Sequence, residues 1–275
     1  MNFALLGGDD RSVRLAGLLR EDGHAVRPFA LEWALPCVQS AAEALDGADC
    51  AVLPLPCEKD GALNAPLSAE TYDFPTLLTD AAPGLPVLAG KAGEALRSVC
   101  RRQRLALSDY FLQEAFVLRN AELTAEGCVS LLLDGEDALR GSRVLISGYG
   151  RIGRLLAQKL LGLGVRVTVA ARSAAQRTLA ELVGCRAIPF SRLGDAHWDA
   201  VVNTVPATIF GAAEIEELGD ARCIELASAP YGFDLAAAKR LGKDVILAAG
   251  LPGKTAPAAA AKAVRDAVYA VMEAE

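Results

Sequence analysis

Short aliphatic or β-branched runs alternate with stretches of helical periodicity along the whole chain, as expected for parallel sheets covered by helices. In the first half the strand-like runs fall at 2–6, 25–29, 50–53 and 86–89, and an amphipathic helix is predicted over 11–20. From 54 to 86 the chain is rich in Pro, Gly, Asn, Ser and Thr and reads as long loops, the segments in which small-molecule sites form. The stretch 109–139 has helical periodicity with an expected break around 120–124. There Thr124 reads as an N-cap, and Glu126 as a first-turn acid suited to the positive end of the helix dipole. A second series of strands follows at 142–147, 165–170, 200–203, 223–226 and 245–247, and an alanine-rich helix closes the chain from 256.

Composition narrows the class. A chain of 275 residues favours two domains, and 52% hydrophobic residues can bury a real core. The net charge of −6 carries no like-charge block, which argues against nucleic acid, whose binding needs clustered Lys and Arg. No apolar run reaches the roughly 18 residues of a membrane span. The start meets Asp9 and Asp10 too early for a signal peptide, so a soluble cytoplasmic protein is expected. Seven dispersed cysteines without a C-x-x-C pair fit a reducing compartment; Cys57 reads as a buried hydrophobe or, less favourably, a nucleophile. Two histidines, His24 and His197, are too few for a His-rich zinc site, and no metal is expected.

The strongest motif is Gly148-Tyr149-Gly150-Arg151-Ile152-Gly153, a full G-x-G-x-x-G between a predicted strand and a predicted helix. Gly148 permits the tight turn, Gly150 lets the backbone approach a pyrophosphate, and Gly153 lets helix and strand pack closely. The architecture expected is therefore α/β: two Rossmann-like, doubly wound parallel-sheet domains, 1–120 and 121–255, joined by crossover helices. The last helix, 256–275, is expected to return to the first domain. An NAD site places an Asp or Glu at the end of the second strand, where this chain has Arg172 and Ser173. A guanidinium and a hydroxyl suit a 2′-phosphate, so the cofactor expected is NADP. Asn203-Thr204-Val205-Pro206, at another strand end, is read as lining the nicotinamide pocket. The other glycine turn, Gly7-Gly8-Asp9-Asp10-Arg11, is either a plain βα turn or part of a substrate site carried by Asp9 and Arg11.

Several segments together resemble a known family. Asn120-Ala121-Glu122-Leu123-Thr124-Ala125-Glu126-Gly127 is similar to an Asn-x-x-Pro-Thr-x-Glu-Gly motif. Asn203-Thr204-Val205-Pro206, Glu225-Leu226-Ala227-Ser228-Ala229-Pro230 and the 250–257 run, Gly-Leu-Pro-Gly-Lys-Thr-Ala-Pro, follow in order. With the opening Gly7-Gly8-Asp9-x-Arg11, the chain looks like the dipicolinate synthase A subunits of spore-forming bacteria over nearly its whole length. Leu123 departs from the usual Pro, Tyr231 stands where a Gly is common, and Ala258-Ala259 replace a common Lys-Thr. The resemblance implies NADP-dependent formation of dipicolinate (pyridine-2,6-dicarboxylate) from dihydrodipicolinate, in the mother cell during sporulation. It also implies a flavoprotein-like second subunit (the B subunit), and a homo-oligomer is expected besides.

On that resemblance the active site is expected between the domains. Arg11 and Lys254 are candidates for the substrate carboxylates, helped by Asp9, Asn120, Thr124 and Ser228. Glu126 is expected either to pair with a cation such as Lys254 or to accept the proton. Two rivals stay open. A 2-hydroxy-acid or amino-acid dehydrogenase shares the two-domain plan, but the hydroxy-acid group carries a catalytic His after a late strand, where 248–254 has none. A non-catalytic NADP-binding sensor or scaffold is the other, since a fingerprint shows binding and not turnover.

Overall fold

The computed structural model describes residues 1–135, 138–194 and 196–273; Asp195, at the head of the polar stretch around His197, lies outside them. The chain divides into two compact units, residues 1–120 with 252–275, and residues 121–251. The first is built from β1 (Asn2–Leu6), α1 (Asp10–Glu21), β2 (Ala25–Phe29), α2 (Ala41–Leu45) and β3 (Cys50–Val52). A two-stranded hairpin follows, β4 (Glu58–Lys59) and β5 (Ala62–Leu63), then α3 (Phe74–Leu77), β6 (Pro86–Ala89), α4 (Glu94–Gln103) and β7 (Ala106–Asp109). The main sheet has the order β2-β1-β3-β6-β7, every pair parallel.

One helix of 20 residues, α5 (Glu114–Leu133), runs through the boundary between the units. The break expected around 120–124 is absent. Ala, Leu, Glu and Arg dominate this stretch with no Pro, and their propensity outweighs the weak local preferences of Asn120 and Thr124 for caps. Thr124 therefore sits in mid-helix and not at an N-cap, and Glu126 lies far from the first turn.

The second unit holds β8 (Arg143–Ser147), α6 (Arg151–Gly162), β9 (Arg166–Ala170), α7 (Ala174–Leu182), β10 (Arg186–Ile188), β11 (Ala200–Asn203), α8 (Ala212–Glu217), β12 (Arg222–Glu225), α9 (Leu235–Arg240) and β13 (Val245–Leu247). Its six strands are parallel in the order β10-β9-β8-β11-β12-β13, the doubly wound arrangement in which the order reverses beside β8. Helices cover both faces, and the apolar side chains form one cluster around Val144, Ile146 and Leu156 and another around Leu145, Val201 and Phe210. The edge strands β7 and β10 were not among the expected strands: they are short, and Arg186 or Ser108 and Asp109 break their apolar pattern.

α10 (Leu251–Thr255) and α11 (Pro257–Met272) end the chain. Proline at the start of α11 suits a helix terminus that needs no N–H there. Within the first unit α11 lies on α1: Ala261, Val264, Ala267 and Val268 share a buried cluster with Leu15, Ala16 and Leu19. Tyr269 donates to Asp22 at 2.8 Å, and Gln113 Nε2 donates to the carbonyl of Ala267 at 3.1 Å. Among the described residues no helix is long and apolar enough to cross a membrane.

Candidate functional site

β8 delivers the fingerprint turn directly into α6. Gly148 has φ +95°, and a Cβ there would come within 2.5 Å of Thr204 Oγ1, so only glycine fits. A Cβ on Gly153 would lie 2.3 Å from the Gly148 carbonyl oxygen, which fixes glycine where helix and turn touch. Gly150 differs: nothing lies within 4 Å of its would-be Cβ. That open space stands beside the N-terminus of α6, the end of a helix that receives phosphate. Tyr149 is held by Arg154, whose Nε donates to its carbonyl at 3.1 Å and whose guanidinium lies 5.5 Å from its ring centre. Ile152 turns instead toward the core of the unit, and Arg151 is exposed at the start of α6.

The turn forms one side of an open depression of about 480 Å³, a size that accommodates a cofactor, lined also by Arg172, Phe190, Thr204, Val205 and Pro206. Arg172 and Ser173 are both exposed at the tip of β9, with no carboxylate there. Ser173 stands at the N-cap of α7 without a side-chain capping bond. Sequence reasoning missed Arg177, whose Nη1 donates to the carbonyls of Ala171 and Arg172 at 2.8 and 2.9 Å and so shapes this turn. Its i+5 spacing from Arg172 was the only available signal.

Asn203 does not line the depression. It is fully buried, because its side chain is consumed by a polar network under the rim. Its Oδ1 accepts from Ser147 Oγ and from Val205 N (3.1 Å), while Nδ2 donates to Val205 O (2.9 Å) and Glu225 Oε1 (2.6 Å). Thr204 Oγ1 donates to the Ser147 carbonyl at 2.8 Å. Ser228 is exposed in the loop after β12.

In the first unit Asp9 caps α1 and grips Arg11. Arg11 Nε and Nη2 donate to its carboxylate at 2.9 and 2.7 Å, and Nη2 also reaches the Leu55 carbonyl. Burial works against the charged form of Asp9, but the hydrogen bonds and charge of Arg11 outweigh it and hold the carboxyl below its ordinary value. Gly253 packs against this pair, since a Cβ on it would lie 2.8 Å from Arg11 Nε. Lys254 is the next residue, exposed on α10, and so belongs to the same unit as Arg11, where the sequence had assigned it to the second domain.

Asn120 and Thr124 stand one turn apart on a common face of α5, while Glu126 is rotated about 200° from Thr124. Glu126 accepts from Lys159 of α6 at 2.9 Å. Its cation is Lys159, not Lys254. Burial pushes the Cys57 thiol up to about 12, which disfavours the nucleophilic thiolate. His24 packs edge-on between Phe3 and Tyr269, and His197 is exposed.

A parallel sheet reversing its order beside a G-x-G-x-x-G turn, with an open depression above it, defines a dehydrogenase-type dinucleotide-binding unit. Residues 122–218 match the D-isomer specific 2-hydroxyacid dehydrogenase NAD binding domain, which supports a nicotinamide dinucleotide as cofactor. Residues 2–111 match the N-terminal domain of the dipicolinate synthase A subunit. The chain is 30% identical over 179 residues to the dipicolinate synthase A subunit of Bacillus subtilis (strain 168), covering 62% of this chain and 59% of that relative, less than two thirds of its length. The crystal structure of the dipicolinate synthase A subunit from Bacillus halodurans superposes with a TM-score of 0.86 at 22% identity, over 98% of this chain and 96% of that one. The corresponding crystal structure from Bacillus subtilis gives 0.83 at 23% identity, over 98% and 95%. Residues 2–111 thus match the N-terminal domain of the dipicolinate synthase A subunits, and the chain as a whole is similar to those subunits in sequence and fold.

The open space at Gly150 can be tested directly. Gly150→Val should leave circular dichroism and the melting curve close to wild type, yet abolish nicotinamide dinucleotide binding in a calorimetric titration; retained affinity would make the turn purely structural. Asp9 concerns pH. Because its folded-state value lies below 3.8, its contribution to stability is present above that pH and is lost as the pH falls through the lowered value. Asp9→Asn should thus lower the urea midpoint at pH 7, and its deficit against wild type should shrink as both are taken well below pH 3.8.

Proposed function

We propose that the chain is the NADP-dependent oxidoreductase component that forms dipicolinate from dihydrodipicolinate, working with a flavoprotein-like second subunit in the mother cell of a sporulating bacterium. The observation that carries the cofactor is the tip of β9. An acid that would bind both ribose hydroxyls is missing there, and Arg172 faces the depression with Ser173 beside it. The residues fit the group, because the space at Gly150 is open and the first turn of α6 stands next to it. Gly148, Tyr149 and Gly150 would hold the pyrophosphate, Arg172 and Ser173 the 2′-phosphate, and Thr204, Val205 and Pro206 the nicotinamide end. Bound there, NADP supplies a hydride acceptor.

The proposed substrate is the one suggested by the likeness to the dipicolinate synthase A subunits. Its oxidation removes one hydride and one proton and leaves an aromatic pyridine, so the driving force is large and the demand for a strong base is small. The chain's own task is orientation and exclusion of water. Arg11 and Lys254, together in the first unit, are the cations proposed for the two carboxylates. Asn120, Thr124 and Ser228 are proposed as further polar contacts. Glu126, already paired with Lys159, is the weaker candidate for the proton acceptor.

Arg172→Ala should weaken NADP binding by about 1.5–3 kcal/mol, the worth of charge-assisted hydrogen bonds, and leave NAD binding nearly unchanged. Equal affinity of the wild-type protein for the two cofactors would sink the NADP reading. For the substrate, Arg11→Ala and Lys254→Ala should each raise the KM for freshly generated dihydrodipicolinate while leaving NADP affinity alone, assayed at saturating cofactor with the second subunit present. Unchanged kinetics in both variants would remove these residues from the substrate site.

A further inference from the structure

Glu225 is the most deeply buried carboxylate near the depression, 1% exposed, and none of the roles above uses it. It ends β12, and both its oxygens are fully engaged. Oε1 accepts from Asn203 Nδ2 at 2.6 Å and from Ala227 N at 2.9 Å. Oε2 accepts from Gly232 N at 2.7 Å and from Phe233 N at 3.1 Å. Four N–H donors on one buried carboxylate make a rigid junction, since losing any one leaves a polar group stranded away from water.

Two branches lead from this junction to the same wall of the depression. Through Asn203 it reaches both the N–H and the carbonyl of Val205. Through Gly232 it reaches the other end, because the Gly232 carbonyl accepts from Ile209 N at 2.8 Å and Phe210 N at 2.9 Å. The packing is tight enough that a Cβ on Gly232 would lie 2.2 Å from Asn203 Nδ2. Val205 and Ile209 both line the depression. The opposite wall, at Arg172, hangs from β9 and Arg177 and takes no part in these bonds.

We propose that Glu225 is a positioning residue for the nicotinamide half of the bound dinucleotide, setting the wall from Thr204 to Ile209 without touching the ligand. The topology gives the division of labour. β9 and β11 flank β8 on opposite sides, so a dinucleotide whose pyrophosphate lies on the β8 turn sends its adenosine half toward Arg172 and its other half over the end of β11. This rests on the reading that the depression holds a nicotinamide dinucleotide.

Glu225→Gln keeps the size of the side chain but turns one acceptor into an NH₂ group that must face N–H donors. The Thr204–Ile209 wall then shifts, while the fingerprint turn and β9 keep their own contacts. The experiment is calorimetric titration of the full-length protein with NADPH and NADH, and separately with 2′-phospho-ADP-ribose and ADP-ribose, which lack the nicotinamide half. In Glu225→Gln the affinity for the better dinucleotide should fall about tenfold or more, as a small misplacement of a contact wall does, with the matching ADP-ribose ligand within about threefold of wild type. Glu225→Asp, which keeps the charge but is one methylene shorter, should show the same split more weakly, and it serves if Glu225→Gln does not fold by circular dichroism. Equal losses for both ligands in a folded variant would make Glu225 a general structural residue. No loss for either would remove it from the site. Both results overturn the proposal, whereas a wild-type protein that binds none of the four ligands overturns the underlying reading of the depression instead.

Discussion

Parallel strands cannot be joined by tight hairpins, so in both sheets every strand hands over to a crossover at the same edge, and the following helices point their N-termini there. Helices cover the faces, which forces the strands to be apolar along their length. Polar chemistry therefore gathers at the ends of the strands, and in the second unit at the last residues of three of them. In the second unit these positions align: Ser147 pairs with Asn203, and Asn203 with Glu225, as the terminal pairs of their registers. Their side chains join into one chain of hydrogen bonds, and the residues just beyond them make the depression. In the first unit the same edge yields the Gly7-Gly8 turn and the Asp9–Arg11 pair.

The two units solve the problem of burying charge differently. Asp9 is neutralised by a cation two residues away, in a bidentate geometry that also ties down the Leu55 carbonyl. Glu225 is held by three backbone N–H groups and one amide, with its charge spread into peptide dipoles. An ion pair of the first kind has a guanidinium nitrogen to spare and can take part in recognition. A carboxylate of the second kind has no capacity left and can only hold its surroundings in place.

Periodicity made the sheets legible, since buried parallel strands leave short apolar runs that few other structures produce. It failed where that rule weakens. β7 and β10 sit at sheet edges, where one side meets less of the core and the apolar run shrinks to two or three residues. The helix through 120–124 reads as broken because Asn and Thr favour caps locally, but a cap needs the chain to leave the helix, and nothing in that stretch forces it to. The glycine fingerprint could be read from sequence because its spacing is covalent. The roles of Asn203, Glu225 and Arg177 could not, because each depends on a partner that only the folded register brings near. Asn203 stood in the right segment but points under the rim, and Glu126 stood in the right motif but turns toward Lys159.

The Asp9–Arg11 pair also constrains the proposed binding of a small dianion. Arg11 commits Nε and Nη2 to Asp9 and Leu55, and Nη1 takes no part in those bonds. The pair carries no net charge, so at a distance it attracts a dianion far less than a lone guanidinium would; its contribution is a fixed donor direction at short range. In the proposed site the net attraction would come from a second cation, the role proposed for Lys254, which follows the Gly253 that packs against Arg11. Gly253 leaves room for the pair as it stands, since a Cβ there would lie 2.8 Å from Arg11 Nε and 3.0 Å from the Asp9 carboxylate, so that something would have to shift.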